Sequence, residues 1–244
     1  MRTLFLITAR GGSKGVPGKN LRELAGISLV GFKAISARKS KYCTRLIIST
    51  DSAEVQANAR RYGADAPFTR PAELATDAAT SADVIADAMQ WIETNTQESY
   101  EAVMLLEPSS PFARAQDYDA AVEIMMERDA DAVVGVRPVE VNSVFVGPLD
   151  DQGRIASIIE KMHSLKAARR QDLPQEYTMN AALYLFRWDY FKKHRNIYHS
   201  GEKTYGLVMP AEYSVEIDTP ADFHRAEFYV ERGYVDLASW KTER

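Results

Sequence analysis

Cysteine is almost missing from this chain of 244 residues: Cys43 stands alone, so no intramolecular disulfide framework is available. The four histidines (His163, His194, His199, His224) are scattered, which leaves no zinc-type cluster. A field of one sign is missing too. The 30 basic and 34 acidic residues are interspersed to a formal charge of −4, so nothing attracts nucleic acid or an anionic membrane at long range. No apolar run is long enough to span a bilayer, and the mostly apolar segment between Arg2 and Arg10 is too short for the core of a secretory signal. These absences point to a cytoplasmic protein that acts on small molecules, with no nucleic-acid or membrane partner. Cys43 reads as a buried or idle thiol.

What the chain does have is an alternation of short apolar runs and helical periods. Strands are expected over 3–8, 45–50, 102–106, 132–136, 181–186 and 205–208, and helices over 29–40, from Ser52, over 82–92, 116–127, from Trp188 and from Pro220. Thr219 before Pro220, with Asp222 in the first turn, is a helix start. The strands are apolar throughout rather than alternating, which implies burial on both faces. A mostly parallel sheet covered by helices follows, and ligands in such α/β sheets sit beyond the carboxyl ends of the strands. From Arg137 to about Met179 the rhythm breaks. Apolar runs at 141–146 and 154–159 flank a turn at 148–153 and predict a β-hairpin arm; Met162 and Leu165 make it apolar enough to need a partner.

The first strand runs straight into Ala9-Arg10-Gly11-Gly12-Ser13-Lys14-Gly15-Val16-Pro17-Gly18-Lys19-Asn20. Four glycines permit positive φ and close approach of backbone N–H groups to an anion, and Arg10, Lys14 and Lys19 add three cations. This is a polyphosphate site. It is not a Walker A loop, because Ser13 stands where the first glycine belongs and Asn20 where the magnesium-binding hydroxyl belongs; the dinucleotide G-x-G-x-x-G pattern is absent as well.

The loop resembles that of the CMP-sialic acid synthetase, or acylneuraminate (nonulosonate) cytidylyltransferase, family. Four further segments match in the same chain order: Ile48-Ser49-Thr50-Asp51-Ser52, the stretch 70–81 beginning Arg70-Pro71, Leu105-Leu106-Glu107-Pro108-Ser109-Ser110-Pro111, and Ser214-Val215-Glu216-Ile217-Asp218-Thr219-Pro220. Asn180-Ala181-Ala182-Leu183-Tyr184 is similar to a family stretch that shapes the sugar pocket. The resemblance implies a Rossmann-like nucleotidyltransferase fold over 1–136 and 180–244, with residues 137–179 as a dimerisation arm of a homodimer. It implies a nucleotide site at Ala9, Arg10, Gly11, Gly12, Ser13, Lys19, Asn20, Arg70, Ala79 and Ser81, with Arg70 and Asn20 reading cytosine. Glu107, Asn180 and Tyr184 would meet the sugar. Asp218 and Glu216, at i and i+2 of an extended segment, project to one side and would hold Mg2+.

The implied reaction is attack of the anomeric hydroxyl of an acidic, sialic-acid-like sugar on the α-phosphorus of CTP, with release of pyrophosphate. Arg10, Lys19 and Asp218 are the expected catalytic residues: the cations hold the triphosphate, and Asp218 carries metal and could take the proton directly or through water. The chain departs from the family pattern on the sugar side. Glutamate replaces the usual glutamine at 107, Ala181 replaces glycine, the first acid of the metal motif is Glu216 rather than aspartate, and no lysine lies between Arg137 and Glu160, where the family's arm lysine would fall near Phe145. Arg137, Arg169 and Arg170 are the candidate substitutes. Two like carboxylates in contact cost about 1 kcal/mol even at high effective dielectric, so Glu107 is expected to face a donor-rich or amino-bearing part of the sugar. A sugar 1-phosphate as acceptor, another nucleoside triphosphate as donor, and a binding protein without turnover are the alternatives.

Overall fold

The computed structural model describes residues 1–13, 15–164 and 173–241. Lys14, Leu165, Arg169 and Arg170 lie outside the described residues.

The apolar opening run forms β1 (Thr3–Thr8). Phe5 and Ile7 enter one core cluster while Leu4 and Leu6 enter another on the opposite face of the sheet. That two-sided burial is why the run shows no polar alternation. A short antiparallel pair, β2 (Glu23–Leu24) and β3 (Ile27–Ser28), leads into α1 (Leu29–Lys39), where the Ser28 hydroxyl accepts from the Gly31 N–H. β4 (Cys43–Ser49) and α2 (Ala53–Arg61) follow, the latter capped by Ser52, then α3 (Ser81–Asn95), capped by Thr80. β5 (Ala102–Leu106), α4 (Ala115–Glu127) and β6 (Ala132–Pro138) complete the regular part. After the insertion come α5 (Ala156–Ser164), β7 (Tyr177–Arg187), α6 (Trp188–His194), β8 (Thr204–Val208) and α7 (Pro220–Glu231). The predicted helix start at Thr219–Pro220 is found, and Asp222 completes a reciprocal capping box with Thr219.

The six-stranded sheet has the order β4-β1-β5-β7-β6-β8. Pairs β1–β4, β1–β5 and β6–β8 are parallel, and only β7 runs against its neighbours. The sheet is therefore mostly parallel, with one reversed strand delivered by the insertion. Helices α1, α2 and α4 cover one face and α3 and α6 the other. Among the described residues no helix is long and apolar enough to cross a membrane.

The expected hairpin is not formed. Residues 156–164 are helical, and 143–145 make a 3-10 turn, where paired strands were predicted. The turn itself is present, with Gly153 at φ 76 and its N–H on the Asp150 carbonyl. The apolar positions Ile155, Ile158, Ile159 and Met162 have helical i, i+3, i+4, i+7 spacing, which outweighs the β propensity of the isoleucines. The insertion is rooted in the sheet, because the outer ends of β6 and β7 pair at Val136 with Met179, Arg137 with Thr178 and Pro138 with Tyr177. The sequence boundaries at 137 and 179 thus fall inside strands. Cys43 is half-buried, and burial pushes its thiol up to about 12, which makes it a poor nucleophile.

A third cluster ties α1 and α7 to the C-terminal segment. Phe32 packs edge-on against Phe112 (5.6 Å) and Trp240 (5.3 Å), and the Trp240 indole donates to the Phe32 carbonyl at 3.0 Å. Phe32→Ala is expected to destabilise the protein by ~3–5 kcal/mol, the range for a buried aromatic. Urea unfolding midpoints of wild type and variant measure it; a loss under 1 kcal/mol would contradict this role.

Candidate active site

Two chain segments nearly two hundred residues apart build the floor of the site. β1 ends at Thr8, the Ala9 N–H continues the ladder to Ser49, and the Gly11 N–H donates to the Asp51 carboxylate at 2.8 Å. The loop closes where Gly18, at φ 64, opens a 3-10 turn over Lys19–Leu21, and the buried Asn20 amide donates to the Arg10 carbonyl at 2.8 Å. Gly18 is the only glycine of the four to use positive φ. Gly15 serves close approach instead: a Cβ there would stand 2.0 Å from the Asp218 carbonyl oxygen. Lys19 fastens the same junction, donating to the Ile217 carbonyl at 2.6 Å and to the Asp218 carboxylate at 3.0 Å.

Residues 214–218 carry no regular structure, but burial alternates, with Val215 and Ile217 inside and Glu216 and Asp218 outside. Both acids therefore share the outer side, as the sequence spacing predicts. The Ile217 N–H donates to the Ser109 carbonyl at 2.8 Å, which sets this segment beside the turn that follows β5 and begins at Glu107.

Two adjoining cavities, about 260 and 270 Å³, lie over the carboxyl ends of β1 and β5, and Thr8 and Arg10 line both. One holds Arg70, Ala79 and Ser81, the other Ala9, Ser13, Lys19, Asn20, Glu107 and Asp218. Arg70 is buried and fixed by the Ser49 hydroxyl (3.0 Å) and carbonyl (2.6 Å). Arg10 reaches Asp77 at 2.7 Å across the cavity mouth. Gly11 and Gly12 are exposed on the loop and line neither cavity, and Asn20 lines the cavity away from Arg70.

Asn180 is buried beneath the site rather than on its wall. β7 pairs with β5 as far as Leu105–Tyr184, then leaves both neighbours, and regains β6 only at Val136–Met179. The diverted backbone places Ala181 at φ 52, the conformation for which a glycine at this position would be free of strain. Asn180 braces the kink by accepting from the Ala182 N–H (3.1 Å) and donating to the Ser214 hydroxyl (2.9 Å). Tyr184 is half-buried and packs edge-on against Tyr198.

Burial, together with the negative charge of Glu216, raises the Glu107 carboxyl to about 6, while Lys33 and Lys19 pull it down and Asp218 pushes it up. Glu216 is raised as well, by burial and then by Asp218, with Lys19 and Arg137 opposing. Three carboxylates thus repel one another around a single bridging lysine. Oxygen donors in that state suit a hard divalent cation. Among the described residues no group of three or more His, Cys, Asp or Glu side chains is placed to hold a metal unaided, so a metal here would need phosphate or water ligands to complete its shell.

The sequence profile of the cytidylyltransferase family matches residues 4–231. The chain belongs to the cytidylyltransferase family. Relatives include the CMP-N,N'-diacetyllegionaminic acid synthase of Legionella pneumophila, 32% identical over 95% of this chain and 97% of the relative. The N-acylneuraminate cytidylyltransferase of Streptococcus agalactiae is 30% identical over 91% of this chain and 52% of its own length. Among solved structures, CMP:2-keto-3-deoxy-manno-octonic acid synthetase complexed with CTP superposes with a TM-score of 0.68, covering 96% of this chain and 100% of that one at 14% identity, a likeness of fold.

For this cytidylyltransferase, sequence reasoning passed over two groups at the site. Asp77 lies inside the matched 70–81 segment yet shows no sign in the sequence of meeting Arg10; the spacing of 67 residues hides it. Lys33 sits among apolar helix positions and is wholly buried. The one available signal was a lysine on the core face of a predicted helix.

Gly15→Ala is expected to cost ~1–3 kcal/mol, the usual penalty for overpacking, because the added methyl meets backbone rather than a yielding side chain. Thermal or urea unfolding measures the loss; an unchanged midpoint would show that the loop and Asp218 do not pack so closely.

Proposed function

We propose that this protein transfers CMP from CTP to the anomeric hydroxyl of a sialic-acid-like nonulosonic acid and releases pyrophosphate. The observation that carries this reading is the Lys19 bridge: it brings a cationic, glycine-rich loop against the Asp218 carboxylate, beside a second cavity walled by Arg70. Family membership supports the cytidylyl chemistry, and the names of the relatives, which activate legionaminic and neuraminic acids, support the sugar class.

In this reading the base enters the cavity of Arg70, Ala79 and Ser81, where carbonyl acceptors on cytosine meet a guanidinium held rigid by Ser49. The triphosphate lies along the loop. Arg10 exchanges Asp77 for phosphate oxygens, and Lys19 neutralises charge that builds on the transferring and leaving groups. Asp218, with Glu216 beside it, would hold Mg2+, which when bound neutralises phosphate oxygens and favours ionisation of the attacking hydroxyl. Catalysis is positioning and charge neutralisation: the sugar oxygen bonds to the α-phosphorus, the bond to pyrophosphate breaks, and the hydroxyl proton leaves to Asp218 or water. Glu107 accepts donors from the sugar, and Arg137, whose charge reaches Glu216, lies near enough to favour an acidic acceptor.

The homodimer belongs to this proposal too. Eight of the thirteen large apolar side chains exposed among the described residues lie between Val141 and Met179, a density that suits burial against a second copy. A cytoplasmic setting, where CTP is made and kept, accords with the reading.

Pyrophosphate release measured with each of the four nucleoside triphosphates against ulosonic acids and sugar 1-phosphates is the direct test. CTP with a nonulosonic acid should far exceed every other pair; turnover with a sugar 1-phosphate instead, or with none, would overturn the assignment. Lys19→Ala should lower kcat ~10²- to 10³-fold with a smaller change in CTP affinity. Near-normal turnover would remove Lys19 from the machinery. As Glu107 must be ionised to accept donors, kcat/KM for the sugar should fall as pH drops through about 6, and Glu107→Gln should flatten that limb and change the ranking of acceptor sugars. An unchanged ranking would detach Glu107 from the sugar.

A further inference from the structure

A lysine is the last side chain expected on the sheet-facing side of a core helix, yet Lys33 in α1 is completely buried. Its ammonium donates to the Ala182 carbonyl at 2.7 Å and lies 6.0 Å over the ring of Tyr118. Ala182 belongs to the β7 kink, where the backbone has left both neighbouring strands and its polar groups need side-chain partners. Three are supplied: Asn180 takes the Ala182 N–H, the Ser110 hydroxyl donates to the Asn180 carbonyl at 2.9 Å, and Lys33 takes the Ala182 carbonyl. Two of the three are neutral and would be enough in kind. A neutral donor would serve the Ala182 carbonyl as well, with no charge to desolvate.

The charge has an addressee. The two carboxylates whose fields act on Lys33 are Glu107, on the turn beyond β5, and Asp117, at the start of α4. Asp117 is already bound by Arg114, through Nε at 3.0 Å and Nη2 at 2.9 Å. Glu107 has no such partner on its own turn; among the described residues Lys33 and Lys19 are the cations that act on it, against Glu216 and Asp218. Burial drags the Lys33 ammonium down to about 7 against the support of both acids, the mark of a cation kept where water cannot stabilise it.

We propose that Lys33 is a positioning residue for the acceptor half of the site: it pins the β7 kink through the Ala182 carbonyl, the Asn180 carbonyl of that kink takes the Ser110 hydroxyl of the turn that begins at Glu107, and the positive charge held there supports the Glu107 carboxylate that meets the sugar. The inference rests on the sugar-activating role given above. It makes Lys33 the counterpart of the glutamate at 107, a charge beneath the floor that answers a charge on the wall.

Lys33→Met and Lys33→Gln test it. Lys33→Met removes charge and pin together, while Lys33→Gln offers a neutral donor to the same carbonyl and serves where the methionine variant fails to fold. With CTP as donor, kcat/KM for the acceptor sugar should fall roughly tenfold or more in Lys33→Met, the scale of one charge-assisted hydrogen bond, while the Kd for CTP stays within about twofold. The acid limb of the sugar profile should move up by roughly half a pH unit or more in both variants, since each removes a positive neighbour from Glu107. A second readout needs no turnover: the ¹³C titration of the Glu107 carboxyl, in protein free of nucleotide and metal, should shift upward by the same amount. Equal losses for sugar and CTP, with the limb and the carboxyl titration unmoved, would reduce Lys33 to a packing role and overturn the proposal. Wild-type protein that releases no pyrophosphate from CTP with any ulosonic acid would overturn the proposed function instead, and the carboxyl titration would still decide the link between Lys33 and Glu107.

Discussion

The ammonium of Lys19 is the point on which this architecture closes. It joins the loop after β1 to the segment before α7, bonding the Ile217 carbonyl and the Asp218 carboxylate, and the missing side chain of Gly15 lets the two backbones touch beside it. The segment before α7 has no regular structure of its own here, and the loop has only the 3-10 turn that begins at Lys19. That junction, with Val16, Val215 and Ile217 packed in one core cluster, fixes the glycine-rich loop against the acidic segment. With it, cation and carboxylate face a common cavity.

The rest of the site follows a charge pattern. Glu107, Glu216 and Asp218 share the field of Lys19, and burial, then mutual repulsion, raises the first two. Such a cluster is costly in the free protein, and in the proposed reading a cation and a donor-rich ligand would relieve it. Lys33 acts on Glu107 and bonds the kink in β7 that also accounts for the strained Ala181.

The strands and most helices were legible because their signals are local. β1 reads as buried on both faces from its unbroken apolar run, α3 from its helical period, and α2 and α7 from the starts at Ser52 and at Thr219–Pro220. The glycine-rich loop and the acidic pair stood out for the same reason, as contiguous motifs, and the family's other segments gave Arg70, Ala79 and Ser81, which share one cavity. What failed was the stretch 154–159, where β-branched composition was weighed above helical spacing. What stayed hidden was pairing over long separations: Arg10 with Asp77, Lys33 with Ala182, and the burial of Asn180 beneath the wall it was expected to line. No periodicity encodes such contacts. They depend on how β7 leaves its neighbours, and the residue-level trace of that event is a single alanine in a left-handed conformation.

A crystal structure with CTP and Mg2+ bears most directly on the central claim. The account predicts the triphosphate along residues 9–19, with Arg10 and Lys19 on its oxygens, the ion against Asp218 opposite the loop, and the base in the cavity of Arg70. Phosphates bound elsewhere, with the Lys19–Asp218 bridge intact and no ion beside it, would contradict it.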